Sequence, residues 1–538
     1  MGASKIRKFG IYVILIFSIF LYLKMFRGFF QQDEWYGYGW FALHKNLNFI
    51  DSLKFFFYPS VSHYNPFTVG IQQILFTIWG LNYTNFAVLG LVLHLFAVFS
   101  FFLLSRKIFK DDIRALLATL IFSTFAAGFQ AVTWVVTDIA TLTASILGIF
   151  SCIFYFDFLK EHKARKLVLS LFILLMSSFF KEIALGLLPI YFGVYILEKK
   201  KKIVRNYLFV IVGFGVAYFI FRLFMIFTPP ITSDGVVTQY LSLRVIIYNF
   251  LTLPLKSITY TLVQPDFFKS LMMFLGTFFP VKIRGIVGSP AYEVFVVRRL
   301  MEVGSIAIGI FILIFGVRIF LKSKNRGFKF VILFGLSWVV LNSFIFALSP
   351  GTSGITLVPD SRNLYFLSMG IALLLASFGK RKILLVLFII VNIFWLNSNI
   401  TNFISMASLR KDILVQIKRD NPTLPKKTIF FVESDSSFYG LPENVHIMPF
   451  QSGFGQTLLS WYEKDQNFPE GFFKDNFLWD IESQGYKQIN GIGFGYFRDL
   501  KLLKKVIDEN KLDMDYVIAY SYNSKNHVLT RLKYEKKK

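Results

Sequence analysis

The chain has 538 residues, 55% of them hydrophobic and only 17% charged, with 67 phenylalanines. An average soluble domain is about 45–50% apolar and about 25% charged. The apolar residues here come in long runs, which excludes a disordered chain, a collagen and a small disulfide scaffold and argues against a soluble enzyme. The net charge of +26 suits either nucleic acid or a membrane, and its placement decides between them.

Residues 1–403 hold 38 Lys/Arg and 15 Asp/Glu, a net of +23, whereas residues 404–538 hold 20 and 17, a net of +3. The surplus sits between the apolar runs, as in a polytopic membrane protein with basic cytoplasmic loops, so no nucleic-acid partner is expected. The one cysteine, Cys152, lies inside an apolar run and has no intramolecular disulfide partner. MGASKIRKFG leads into an apolar run with no small-residue cleavage site after it, which reads as an uncleaved first helix.

A spanning helix needs roughly 20 apolar residues. In chain order the candidates are 9–27, 84–104, 114–131, 134–158, 166–180, 183–198, 204–228, 300–321, 328–348, 363–379 and 383–403. That gives eleven crossings, or thirteen if 245–263 and 267–280 also cross. The segment 65–80 is short and carries Gln72 and Gln73, and reads as an interfacial helix. With the N-terminus cytoplasmic, KIRK, RKIFKDD, KEHKARK, KKKKIVR, SKNR and KRK all fall inside, while the short opposite loops hold only Lys181 and Arg362. This predicts an integral plasma (inner) membrane protein. Outer loops are expected at 28–83 and 229–297, and residues 404–538 form an extracytoplasmic tail. The tail reads as a small α/β domain. TIFFVE (428–433) and DYVIAYSY (515–522) are strands, a helix lies near 498–511, and HVLTRLKYE is a hairpin partner. GIGFG (491–495) reads as a turn, since no helix-opening phosphate motif follows it.

The residues able to carry chemistry gather on the outer face. Asp33 and Glu34 follow the first helix, either as a carboxylate base at a cavity mouth or as a solvated turn. His63 and Tyr64 precede Asn65 and Pro66, which suit a helix cap and first turn. His94 falls mid-helix, where a hydrogen bond to a neighbouring helix is the cheaper explanation. Asp138 lies in the first turn of its helix, and Lys181 and Glu182 at a helix–helix turn. Asp360 and Arg362 stand before another helix. Arg222, Arg298 and Arg299 sit at outer helix ends, where guanidinium groups bind phosphate or snorkel to headgroups.

The order of short motifs carries a resemblance. A first helix is followed by QQDEWYG (31–37), YNPF (64–67), an interfacial helix ending in WGLN (79–82), and then NFAVLGLVLHLFAVFSFFLLSRKIF (85–109). FFKEIALGLLP (179–189) and SRNLYFLSMGIALLLA (361–376) come later. Over about residues 9–403 this resembles the GT-C membrane glycosyltransferases. Within them it is most similar to the protein O-mannosyltransferase-like branch that includes the transmembrane and tetratricopeptide-repeat enzymes. It departs from that branch at Asn363, where a second aromatic is usual, and in having no tetratricopeptide repeats. The resemblance implies a GT-C-like fold, a polyprenyl-phosphate-sugar donor and a hydroxyl acceptor on a protein or glycan. It implies Asp33 as base, with Glu34 and Asp138 orienting the acceptor or sugar. Lys181, Arg222 and Arg362 become the phosphate candidates, with His63, Tyr64, Glu182 and Asp360 beside the substrate. A divalent metal is optional, with no ligand set assigned. The competing readings are a multi-pass transporter or lipid/polysaccharide flippase, which predicts ionisable residues deep among the helices, and a scaffold acting through its tail.

Overall fold

The computed structural model describes residues 3–57, 64–197, 205–227, 243–276, 278, 297–348, 359, 361–379, 381–434, 453–475, 477–479, 483–523 and 525–532. The helices begin with α1 (Ala3–Tyr22), α2 (Gln32–His44), α3 (Phe49–Phe56), α4 (Pro66–Trp79), α5 (Tyr83–Phe109), α6 (Asp112–Ser123) and α7 (Gln130–Thr133). They continue with α8 (Val135–Glu161), α9 (Ala164–Phe180), α10 (Leu187–Leu197), α11 (Arg205–Phe227), α12 (Leu243–Leu262) and α13 (Pro265–Gly276). After these come α14 (Arg298–Lys322), α15 (Arg326–Ser343), α16 (Ser361–Ser377) and α17 (Lys382–Asp420), then α18 (Phe454–Gln466) and α19 (Leu500–Glu509) in the tail.

Among the described residues, six helical segments are long and apolar enough to cross a membrane: Phe9–Arg27, Tyr83–Phe109, Thr137–Glu161, Arg298–Lys322, Arg326–Ala347 and Lys382–Asp420. The pair Asp112–Ser123 and Ala126–Thr133, bent by 50°, makes a seventh if it counts as one span. The chain is therefore a helical protein built for a membrane. Runs expected to cross at 166–180, 183–198 and 363–379 are helical too. At 17, 11 and 17 residues they lie at or below the short end of spanning lengths. The segment 65–80 is α4, with Pro66 at its first turn and Asn65 at the N-cap; the expected side-chain cap is not made, because no Asn65 cap hydrogen bond forms.

One end of the bundle gathers the basic loops. There Arg106 pairs with Asp112 at 2.9 Å and Lys163 with Glu161 at 3.0 Å, and Lys107 and Lys166 both meet Asp157. These pairs are partly exposed and stabilise little individually. The other end carries the tail domain.

α17 explains how the tail is held. Its 39 residues contain no Gly or Pro, so nothing breaks it at 403/404, where the soluble tail was expected to begin. At about 1.5 Å per residue it is far longer than a hydrocarbon core of about 30 Å, and it stops at Asn421, which has left the helical conformation before Pro422. The sheet follows: β1 (Lys427–Ser434), β2 (Gly485–Ile489), β3 (Ile492–Phe497), β4 (Val517–Asn523) and β5 (Val528–Leu532), in the order β2-β3-β1-β4-β5. β1 runs parallel to both neighbours, with Ile429 opposite Gly495 and Val517, and the two edges are antiparallel. Alternation along β1 sets the layers. Phe430 and Val432 join a core with α18 and the end of α17, while Ile429 and Phe431 pack with Leu503 and Ile507 of α19. The expected α/β tail is present, with one correction. GIGFG is not a turn: only Gly491 (φ +79°) turns, and the rest is β3 beside the central strand.

The tail is seated on α2. Lys45 Nζ meets Glu463 Oε1 at 2.6 Å and donates to Asn467 at 2.9 Å. Tyr38 donates to Glu463 at 3.3 Å, and Asn46 to Glu470 at 2.8 Å. Trp35 lies edge-on to Trp461, centroids 6.2 Å apart.

Candidate functional site

The first turns of α8 are the assembly point. Trp134 is extended and separates α7 from α8, which leaves the first N–H groups of α8 without intrahelical partners. Glu34 takes one of them: its Oε1 accepts from Val135 N–H at 3.0 Å. Its Oε2 accepts from Gln31 N–H at 2.6 Å, which closes a capping box at the start of α2. Glu34 is 1% exposed. Both oxygens serve backbone donors, so Glu34 ties two helix starts together.

Asp138 lies one turn into α8, 2% exposed, and accepts from the N–H of Ile139. It faces Gly90 of α5: a Cβ there would stand 2.7 Å from Asp138 Oδ2. Thr141 follows at i+3 on the same helix face. Lys181 donates to Thr141 Oγ1 and to Asn363 Oδ1, each at 3.0 Å. Asn363, the position that departs from the resembled pattern, is thus a lysine partner. Arg362 lies over the Trp134 ring at 4.8 Å, a geometry that suits its planar guanidinium.

Glu34, Asp138, Lys181 and Arg362 therefore come together from four separate stretches of chain. Tyr64 and Glu182 form an adjoining pair, with Tyr64 N–H 3.4 Å from Glu182 Oε1. The Tyr64 ring meets Phe221 of α11 at 5.3 Å, one residue before Arg222. His63 and Asp360 lie outside the described residues, as do the side chains of Asp33 and Arg222. His94 is a buried structural group, 2.9 Å from the Tyr365 hydroxyl through Nδ1. Arg298 and Arg299 are exposed.

Two features escaped the sequence reading. Arg410 of α17 is 6% exposed, its Nε donates to Phe30 O at 3.0 Å, and its Nη2 is buried with no hydrogen-bond partner among the described residues. Glu34 is within its electrostatic reach, and Tyr83 lies within that of Glu34, Asp138 and Arg410 together. Arg410 was hidden because it falls past the last apolar run, where a solvated tail was expected. The second feature is Lys256, 1% exposed, paired at 2.6 Å with Glu302 of α14, to which Tyr248 also donates. A lone lysine inside LTLPLKSITYTL was the available signal, since a charge buried there requires a partner.

Among the described residues, no three His, Cys, Asp or Glu side chains gather as a metal site requires. No family model matches the sequence, and no curated protein matches it. What the chain does is therefore read from its geometry.

Proposed function

We propose that this protein is a membrane glycosyltransferase with a GT-C-like arrangement of eleven, or thirteen, crossings. It moves a sugar from a polyprenyl-phosphate donor to a hydroxyl acceptor on the extracytoplasmic face. The observation that supports this is the convergence of Asp138, Lys181 and Arg362, fixed by Glu34, at the end of the bundle bearing the tail domain. The opposite end carries the basic loops, which the positive-inside rule places in the cytoplasm together with the N-terminus.

The chemistry follows from the residue types. Asp33, next to the anchored Glu34, takes the acceptor hydroxyl proton as the oxygen attacks the anomeric carbon. The leaving group is already a phosphate, so it needs cations for its growing charge rather than a strong acid. Lys181 and Arg362 supply them, with Arg222 a further source. Asp138 orients the sugar or acceptor, and Tyr64 and Glu182, with His63 and Asp360, border the substrate. A single displacement inverts the anomeric centre, by analogy with inverting glycosidases. The test is Asp33→Asn. Sugar transfer disappears while expression is unchanged, and mass spectrometry of surface glycans shows one hexose missing. An active Asp33→Asn protein sinks the reading.

The buried Lys256–Glu302 pair favours a second reading, a transporter or flippase, because paired ionisable groups among membrane helices mark transport pathways. Under that reading Lys256→Met abolishes export of a lipid-linked glycan while Asp33→Asn does not.

A further inference from the structure

The stretch 28–31, just before α2, is held from three sides. Gly28 passes so close to α5 and α17 that a Cβ there would stand 2.5 Å from the Tyr83 hydroxyl oxygen and 2.6 Å from Phe403 Cε1. The Phe30 ring is edge-on to Tyr83 at 5.5 Å, and the Phe29 ring is edge-on to Trp461 of α18 at 6.0 Å. The Phe30 carbonyl accepts from Arg410 Nε at 3.0 Å. Arg410 stands roughly 42 Å along α17 from Lys382 at the helical rise per residue, past a hydrocarbon core of about 30 Å. It therefore reaches in from the part of α17 that carries the tail.

The guanidinium is buried, and its Nη2 has no hydrogen-bond partner among the described residues. A buried cation is costly unless opposite charge offsets it. Glu34 is the carboxylate within its electrostatic reach. Glu34 and Asp138 are both buried and lie within reach of each other, and two carboxylates so placed disfavour each other's charge. A cation beside them offsets that repulsion.

We propose that Arg410 is a positioning residue of the transfer site; this rests on the glycosyltransferase reading. Its Nε fixes the Phe30 carbonyl, and its charge steadies the Glu34 carboxylate. Glu34 in turn holds the N–H groups of Gln31 and Val135. The stretch that leads into Asp33 thereby keeps one geometry relative to α8 and Asp138. Because Arg410 belongs to the helix that carries the tail, the tail keeps the proposed base in place, and the site is incomplete without it. The hydrogen bond that Arg410 makes among the described residues runs through Nε. The two-pronged geometry that only arginine offers is thus not in use, and a lysine of similar reach can stand in for it.

The test uses the full chain in detergent, with a polyprenyl-phosphate-sugar as donor. Arg410→Met keeps the apolar stem and removes the charge. It lowers kcat roughly a hundredfold with KM little changed, the scale for displacing a reacting group by about 1 Å. Arg410→Lys recovers most of that loss. Glu34→Gln combined with Arg410→Met loses less than the product of the two single losses, because neither charge is then left uncompensated. Should Arg410→Met alone not fold, the double variant is compared with Glu34→Gln, and the added loss is far below roughly a hundredfold. Hydrogen–deuterium exchange, read without substrate, is the second arm. In Arg410→Met, or in the double variant against Glu34→Gln, the stretch 28–36 exchanges faster while β1 and β4 are unchanged. Wild-type kcat in folded Arg410→Met, a Lys variant no better than Met, losses that multiply, or faster exchange spread equally over the tail sheet overturns the proposal. Wild type that transfers no sugar, with the expected exchange pattern, removes the glycosyltransferase reading and leaves Arg410 as the anchor of this stretch. Normal transfer and unchanged exchange in Arg410→Met do the reverse.

Discussion

Glu34 Oε1 accepts the Val135 N–H at 3.0 Å, so a residue of the first loop closes the start of α8. The second oxygen holds Gln31 N–H. Glu34 therefore acts through position, whereas the proposed base is its neighbour Asp33. Glu34→Gln retains one acceptor and leaves a buried backbone donor unpaired, which costs about 1–3 kcal/mol. Thermal unfolding in detergent shows a lowered Tm together with reduced transfer, whereas Asp33→Asn loses transfer at unchanged Tm. A Glu34→Gln protein as stable as wild type yet inactive would instead make Glu34 a proton-transfer group.

Gly90 is the floor beneath Asp138. A Cβ there stands 2.7 Å from Asp138 Oδ2 and 2.9 Å from the Val132 carbonyl oxygen. The carboxylate can rotate away, but the backbone carbonyl is fixed by α7 and α8. Gly90→Ala thus costs about 1–3 kcal/mol as an overpacked contact and displaces Asp138, lowering both Tm and transfer. Adding Asp138→Ala restores only part of the Tm, because the Val132 clash remains. Full recovery in the double variant would show that the carbonyl moves freely.

Lys181 donates to Thr141 Oγ1 and Asn363 Oδ1, which position the ammonium. Lys181→Met lowers kcat roughly a hundredfold, the scale for losing one group that stabilises a developing anion. Lys181→Arg does not rescue it, since a planar fork cannot replace a compact ammonium between these partners. Asn363→Leu has a smaller effect. Steady-state kinetics with a polyprenyl-phosphate-sugar checks this, and wild-type kcat in Lys181→Met removes Lys181 from the site.

Much of this was legible where the physics is local. Pro66 fixed the start of α4, the β-branched and aromatic runs fixed β1 and β4, and the placement of lysines and arginines separated the two ends of the bundle. Asp138, Lys181 and Arg362 stood out because so few charges interrupt the apolar chain. What the sequence hid depends on three-dimensional partners. Arg410 looks solvated until α17 is seen to run unbroken into the tail. Lys256 looks like a loop residue until Glu302 is placed against it. The seating of the tail on α2 through Lys45 and Glu463 joins positions more than 400 residues apart, beyond any local pattern.

The joint between α17 and the sheet carries a pH dependence. Tyr520 accepts from Asn421 Nδ2 at 2.8 Å and donates to Asp420 Oδ2 at 3.2 Å. Tyr462 donates to Asn421 O at 2.7 Å. Burial, reinforced by the Asp420 carboxylate, pushes the Tyr520 phenol up to about 12, and burial raises Tyr462 as well. An unfolded tyrosine titrates near about 10. Below that pH both states keep the proton and the contribution to stability is whole. Between about 10 and 12 the unfolded chain releases protons that the folded chain retains, so stability falls as pH rises. Urea unfolding followed by tryptophan fluorescence shows this decline in wild type. Tyr520→Phe starts less stable by about 1 kcal/mol for the lost hydrogen bonds and has a shallower slope, and adding Tyr462→Phe flattens it further. An identical slope in all three proteins would place the alkaline transition elsewhere in the chain.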